Sequence, residues 1–307
     1  MSNTQFRLIT RSDMDGLVCA VILKELNLID EIKFVHPKDM QDGKIAVTDR
    51  DITTNLPYVQ GVHLAFDHHL SETLRNGKHD NHIIDPNMLS AARVVYDYYG
   101  GKEKLPRISE AMMEAVDKAD AAQFSKDEIL NPQGWDLLSF LMDARTGLGR
   151  FREFRVSNYQ LMMDLIDSCL ELDISDIMKL PDVVDRVGLY NEHATKACEQ
   201  ILRCGTVHGN LVVLDLRNEE TIFATNRFTI YALFPQCNIS IHEMWGVQKQ
   251  NTVFATGKSI LDRSSKTNVG ELMLKYGGGG HLAAGTCQVP NDEAETKLKE
   301  IIAAITI

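Results

Sequence analysis

The stretch FRLITRSDMDGLVCAVILKELN, Phe6–Asn27, decides the fold. Phe6–Thr10 is a short β-prone run, Arg11–Asp15 is a polar turn, and after Gly16 comes LVCAVILKELN, an apolar segment of helical length. The theme of strand, acidic turn and helix recurs downstream. Glu31–His36 (EIKFVH) reads as a second strand, and Lys44–Thr48 (KIAVT) as a third that ends in Asp49. Gly61–Phe66 (GVHLAF) reads as a fourth, running into Asp67-His68-His69, and His82–Ile84 as a short fifth before Asp85-Pro86. Near-continuous apolar strands alternating with helices predict an α/β fold with a parallel sheet.

From about Ser90 to Cys204 the pattern turns helical. SAARVVYDYYG, ISEAMMEAVDKADAAQF, NPQGWDLLSFLMDA and SNYQLMMDLIDSCLEL carry apolar residues at i, i+3 and i+4. Val183–Cys204 reads as a long exposed helix that Gly205 could cap. The chain then starts afresh. Strands are expected at Leu211–Leu216, Asn238–Met244 and Thr252–Thr256, with helices at Asn226–Phe234, at VGELMLKY and at Asp292–Thr306. We therefore expect a parallel-sheet domain over residues 1–190, a linker helix over 191–206 and a smaller α/β domain over 207–307.

Length and composition agree with this division. The chain has 307 residues, 44% of them apolar and 24% charged, which suits two globular domains rather than disorder or coiled coil. The net charge of −11 argues against a general nucleic-acid coat, so a phosphate-rich ligand would need a metal site or a local basic patch. Six scattered cysteines form no CxxC pair and so no zinc ribbon. No stretch approaches the ~18 consecutive apolar residues of a membrane span. MSNTQFRLIT lacks a basic segment followed by an apolar core, so a cytoplasmic protein without membrane contact is expected.

Ligands of open parallel sheets bind at the carboxyl ends of the strands. The residues expected there are Asp13 and Asp15 after the first strand, Asp49 and Asp51 after the third, and Asp67, His68 and His69 after the fourth. Carboxylates gathered without counter-charge repel one another and rise in pKa. A divalent cation resolves this, and oxygen ligands with an imidazole favour Mn²⁺ or Mg²⁺, as one ion or two. Any one of these acids alone could be a helix cap or turn residue; their coincidence at three strand ends carries the reading. Near the C-terminus, Gly277–Gly280 precede His281, with Lys258, Arg263 and Lys266 upstream. Four glycines are either a flexible loop or a backbone cradle for phosphate in which His281 is a further donor.

Five pieces, SDMDG (Ser12–Gly16), VTDRD (Val47–Asp51), FDHH (Phe66–His69), VDKAD (Val116–Asp120) and GGGGHLAAG (Gly277–Gly285), together resemble the DHH phosphoesterase superfamily in its two-domain form with a C-terminal DHHA1 domain. That superfamily includes phosphodiesterases of short RNA and cyclic dinucleotides, a single-strand exonuclease, adenosine bisphosphate phosphatases and enzymes of polyphosphate or pyrophosphate. The chain also resembles exopolyphosphatase-like members. The resemblance implies an active-site cleft between the domains and two divalent ions about 3.5–4 Å apart. It implies that Asp13 holds one ion, Asp15 and His68 the other, and that Asp49 bridges them. Asp67 would support His68, and a helical acid, Asp120 or its rival Asp117, would complete the bridge. His69 would face the phosphate. Lys258, Arg263, Gly278, Gly279, Gly280 and His281 would hold the rest of a small phosphorylated substrate or a short single-stranded nucleic acid.

One departure stands out. The family often has histidine two residues before the first aspartate; here it is Arg11, whose guanidinium stays protonated and cannot ligate a metal. Arg11 could clamp a phosphate oxygen or simply pair with a nearby acid. Arg145, in DARTGLGRFR, is a further cleft candidate. The leading expectation is a metal-dependent phosphoesterase. The alternative is a metal- or nucleotide-binding module whose catalysis Arg11 impairs. The helical middle section could also pair with a second copy in a homodimer.

Overall fold

The computed structural model describes residues 5–151 and 153–306. In chain order the elements are β1 (Phe6–Arg11), α1 (Met14–Glu25), β2 (Ile29–Val35), α2 (Pro37–Gln41), β3 (Asp51–Thr54), β4 (Leu64–Asp67), α3 (Leu70–Asn76), β5 (His82–Ile84), α4 (Ala91–Tyr98), α5 (Gly101–Lys104), α6 (Glu110–Asp120), α7 (Lys126–Leu130), α8 (Gly134–Met142), α9 (Asn158–Glu171), α10 (Ile174–Ile177) and α11 (Pro181–Cys204). There follow β6 (Gly205–His208), β7 (Leu211–Asp215), α12 (Thr229–Leu233), β8 (Ile239–Trp245), β9 (Thr252–Lys258), α13 (Val269–Leu274), β10 (Gly279–Gly280), β11 (Ala284–Val289) and α14 (Ala294–Ile305). They form two compact units. One joins residues up to Gln123 with Pro132–Gly188; the other joins Phe124–Asn131 with the chain from Leu189 onward. None of the described helices is long and apolar enough to cross a membrane.

The first unit is built on a wholly parallel sheet of order β2-β1-β3-β4-β5. Leu8, Ile9 and Thr10 in β1 have no exposed surface, as expected for a strand with neighbours on both sides and helices over it. Helix α1 is buried without interruption from Met14 to Leu23. It packs on α4, α6 and α9 as well as on β1, which accounts for an apolar run with no polar face. Gly16 allows α1 to start directly over the strand end, because a Cβ there would lie 1.9 Å from the Arg11 carbonyl oxygen.

The third strand corrects the sequence reading. KIAVT is not a strand; the strand is DITT, and all four of its residues are buried. Asp51 can open it because Arg7 meets both its oxygens, Nε to Oδ1 at 2.7 Å and Nη2 to Oδ2 at 3.0 Å, and the Thr48 amide donates to Oδ2 at 2.6 Å. Arg7 lies opposite Asp51 and Thr10 opposite Thr54. Asp51 is thus at the amino end of β3, and Asn55 follows its carboxyl end.

The second unit holds a mixed sheet of order β10-β11-β9-β8-β7-β6. The first four residues of β7, LVVL, are apolar because both faces of the strand are covered. Leu211 and Val213 pack with Val269, Leu272 and Ile301 from α13 and α14, while Val212 and Leu214 pack with Ile201, Ile230 and Phe234. Gly205 does not cap α11 but begins β6, which pairs with β7. The glycine run is also ordered as a strand: Gly279 pairs with Thr286 and Gly280 with Gly285. A Cβ on Gly278 would meet the Thr286 oxygen at 2.0 Å and one on Gly280 the Ala284 oxygen at 2.3 Å, whereas one on Gly279 would meet nothing within 4 Å. These contacts make a specific test. Gly278→Ala and Gly280→Ala should each lose about 1–3 kcal/mol of stability, the cost of overpacking, and Gly279→Ala should stay within about 0.5 kcal/mol. Thermal melts in which all three variants fall alike would remove the packing explanation.

Candidate metal centre

The carboxyl edge of the parallel sheet collects the chemistry. Asp13 caps α1, with its Oδ1 accepting from the Gly16 amide at 3.1 Å. Asp15, in the first turn, is 1% exposed and points at the start of α4: Oδ2 accepts from the Ala91 amide at 3.0 Å and Oδ1 from the Ala92 amide at 2.7 Å. The positive end of a helix is a suitable support for a buried carboxylate. That helix start is itself fixed. Ser90 accepts from the Arg93 amide and donates to Asp117 Oδ1 at 2.7 Å, and Asp117 Oδ2 takes Arg93 Nη2 at 2.7 Å.

Asp120, at the end of α6, approaches His68 Nε2 at 2.8 Å. His68 Nδ1 lies 3.2 Å from the Met88 carbonyl oxygen. That contact assigns the proton to Nδ1, and a neutral ring then presents Nε2 to a metal. The ligand atoms of Asp15, His68 and Asp120 lie within 4.8 Å of one another, as do those of Asp67, His68 and His69. Asp67 is buried and shapes its own turn, its Oδ1 accepting from the His68 amide at 2.8 Å and lying 2.7 Å from His69 Nδ1.

Burial, followed by the charges of Asp120 and Asp13, pushes the Asp15 carboxyl far above its ordinary range. Burial also raises Asp13, partly offset by Arg11 and Arg145. Burial alone would lower His68, but its hydrogen bond to Asp120 and the charges of Asp120 and Asp15 hold it well above the usual imidazole value. Burial acts to raise Asp120, but the same bond together with the charges of His68, His69 and Arg11 holds that acid low. His69 is raised mainly by its bond to Asp67. Such a set, protonated at His68 to offset clustered carboxylates, has the electrostatics of a cation site. Two carboxylates and an imidazole suit Mn²⁺ or Mg²⁺. Asn55, 2% exposed, follows β3 at the same edge; its amide oxygen has no hydrogen-bond partner and its Nδ2 lies 3.4 Å from Asp13 Oδ1. The residues therefore fit a divalent cation.

The structure brings Arg11, Asp13, Asp15, His68, His69 and Asp120 to this edge. Asp117 turns away to Ser90 and Arg93, which separates it from its rival Asp120. Asp49 is not brought in: it is exposed and precedes β3, at the opposite end of the strand from Asn55. The place after that strand belongs to Asn55, whose Nδ2 lies 3.4 Å from Asp13 Oδ1. Sequence reading missed Asn55 because a neutral amide carries no charge signal, and because the strand before it was placed too early. Arg145 pairs with Asp143 at 2.7 Å. Arg152, in the same segment, lies outside the described residues.

The remaining candidates lie in the second unit, at one end of its sheet. Lys258 closes β9; its amide donates to the Ala283 carbonyl at 2.9 Å and its Nζ to the Ser265 carbonyl at 3.1 Å. His281 forms the turn between β10 and β11, with its amide on Ala284 and its Nδ1 accepting from the Ala283 amide at 3.3 Å. Arg263 Nε reaches the Ile260 carbonyl at 3.4 Å. Gly278, Gly279 and Gly280 lead into that turn.

No family profile matches the chain. Among solved structures it is 63% identical to the pGpG-specific phosphodiesterase PggH from Vibrio cholerae, with a TM-score of 0.87, over 98% of this chain and 99% of that one. CDC45 from Entamoeba histolytica (9% identical, TM-score 0.54, 99% of this chain and 96% of that one) shares the fold. So does RecJ from Thermus thermophilus in complex with Mg²⁺ (11% identical, TM-score 0.50, 99% of this chain and 50% of that one). A local match over 113 residues is 29% identical to the A-adding tRNA nucleotidyltransferase of Aquifex aeolicus and covers 34% of this chain and only 13% of that protein.

The raised protonation of Asp15 and His68 sets the sign of a pH effect. A cation must displace protons that the metal-free site holds above pH 6.5, so Mn²⁺ affinity should strengthen with pH across 6.5–8.5, by about tenfold per unit for each proton released. Calorimetric titration in buffers of different ionisation enthalpy would read both slope and proton count. A flat profile with no proton release would contradict the site.

Proposed function

The chain belongs to the DHH phosphoesterase family, and on that premise we propose that it is a divalent-metal-dependent phosphodiesterase that cleaves a short linear dinucleotide of the pGpG type. The observation that carries this reading is the likeness, along the whole chain, to a phosphodiesterase of that specificity. Hydrolysis of the one internal phosphodiester of pGpG yields two molecules of GMP.

Asp15, His68 and Asp120 would hold the cation. A divalent ion held there would supply Lewis-acid polarisation of a phosphoryl oxygen and acidify a water. The chain's own groups do the rest. The N-terminus of α4 fixes Asp15, and the Met88 carbonyl fixes the His68 ring. His69, about half exposed and oriented by Asp67, offers its other nitrogen to a phosphoryl oxygen; its raised pKa favours the donating, charged form. Arg11 adds a permanent positive charge. Lys258, Arg263, Gly278, Gly279, Gly280 and His281 would take the terminal phosphate and nucleoside, with the strand glycines contributing backbone groups rather than a loose loop. The alternative of a binding module without turnover rests on Arg11 alone and is the weaker reading.

The test is a panel of pGpG, its cyclic parent, a longer oligoribonucleotide, adenosine bisphosphate and short-chain polyphosphate, each with Mn²⁺, Mg²⁺ or chelator. GMP release from pGpG, lost with chelator, is expected; a preference for polyphosphate would defeat the proposal. Asp120→Ala should lower kcat by at least about 10²-fold, as for loss of an electrostatic catalytic group. Asp49→Ala, at the far end of the strand, should stay within about threefold of wild type, the effect of a surface substitution away from any special feature.

A further inference from the structure

The resemblance implies two ions, one of them on Asp13, with an acid following β3 as a bridge. The residues around Asp13 do not fit an ion. Its Oδ2 is 2.8 Å from Arg11 Nε, and its Oδ1 accepts from the Gly16 amide and lies near the Asn55 amide nitrogen. The three groups bonded to Asp13 or nearest its oxygens are hydrogen-bond donors, one is a full cation, and although the charge of Asp120 also acts on it, Asp13 is in neither of the metal-spaced groups. The position after β3 is Asn55, neutral where a bridge between two dications calls for a carboxylate. Asp120 instead meets the Nε2 of His68, and the ligand atoms of Asp15, His68 and Asp120 lie within 4.8 Å of one another.

Charge agrees with geometry. Asp13, Asp15 and Asp120 carry three negative charges, which Arg11 and one divalent ion neutralise when His68 is neutral. A second divalent ion would leave two positive charges in excess at a site where Asp15 is buried and Asp13 half-buried. Arg11 is held between its strand end and Asp13, with its side chain 32% exposed, so a substrate can reach it. A guanidinium can meet a phosphoryl oxygen as a metal does, without needing its own set of ligands.

Resting on the proposed phosphodiesterase reading, we infer that this chain works with a single divalent cation, on Asp15, His68 and Asp120, and that the Arg11 guanidinium paired with Asp13 takes the place of the second ion. Arg11 is then a catalytic residue that touches the phosphoryl group, and Asn55 and Arg11 together determine the metal count.

The test is direct. The full chain, stripped with chelator, is titrated with Mn²⁺ alone, and bound metal is counted by equilibrium dialysis and read by electron paramagnetic resonance. One Mn²⁺ per chain with the signal of an isolated ion is expected. The double variant Arg11→His, Asn55→Asp should take up a second ion and give the signal of an exchange-coupled pair. Two ions in the wild type would overturn the inference and leave the phosphodiesterase reading standing. A folded double variant that still binds one ion would overturn the roles of Arg11 and Asn55. No bound Mn²⁺ would overturn both this inference and the cation of the proposed function. One bound ion with no cleavage of pGpG would uphold the count while the substrate reading falls.

Discussion

Clustering ionisable acids under cover is costly, because each carboxylate loses hydration and repels its neighbours. In the first unit Asp13, Asp15 and Asp120 are placed together at one sheet edge, and much of the surrounding structure offsets that cost. Asp13 has Arg11 and the start of α1; Asp15 has the start of α4; Asp120 has His68. Each acid is given a different kind of partner: a fixed cation, a pair of backbone amides, and a titratable ring. Only the last can give up its proton to admit a metal. This difference, more than the number of acids, decides where on the edge a cation can sit.

The partners are in turn held from behind. Ser90, Arg93 and Asp117 lock the first turn of α4, so helices α4 and α6 are joined by the same contacts that steady Asp15. Asp67 contributes to no strand-end helix cap but ties the backbone of the two histidines and orients one ring. In the second unit the corresponding rigidity comes from close backbone approach. Gly278 and Gly280 lie against the oxygens of Thr286 and Ala284, and Gly270 of α13 sits under Gly280, so the turn bearing His281 is held by packing. Ordering glycine is unfavourable in entropy, and the strand pairing of β10 and β11 supplies the offset.

Much of this could be read from residue order. β1, β4 and β5 are apolar runs that stop at acids, and α1 is an unbroken apolar helix, so the parallel sheet and the positions of Asp13, Asp15, His68 and His69 were legible. β3 was not. Its residues, Asp-Ile-Thr-Thr, look like a loop by composition, and they form a buried strand only because Arg7, 44 positions earlier, neutralises Asp51. A partner that distant leaves no local mark, while the neighbouring KIAVT has strand composition and no strand partner. The error carried the expected bridging acid to Asp49 and concealed Asn55. The choice between Asp117 and Asp120 was also open in the sequence: the two are near neighbours on one helix, and only the placement of Ser90, Arg93 and His68 separates them. The glycine run is ambiguous as a signal, since absence of a side chain serves a tight hairpin and a phosphate cradle equally well.

The double duty of Asp15 bears on how a substrate complex could be trapped for crystallography. An inactive variant made by removing Asp15 would leave the Ala91 and Ala92 amides of α4 without their acceptor, so it would be loosened as well as silent, and its bound substrate would report a disturbed edge. His68 and Asp120 answer chiefly to each other. Replacing one of them by asparagine would silence the site while the start of α4 keeps its carboxylate, which makes that pair the better place to stop the enzyme with its substrate in hand.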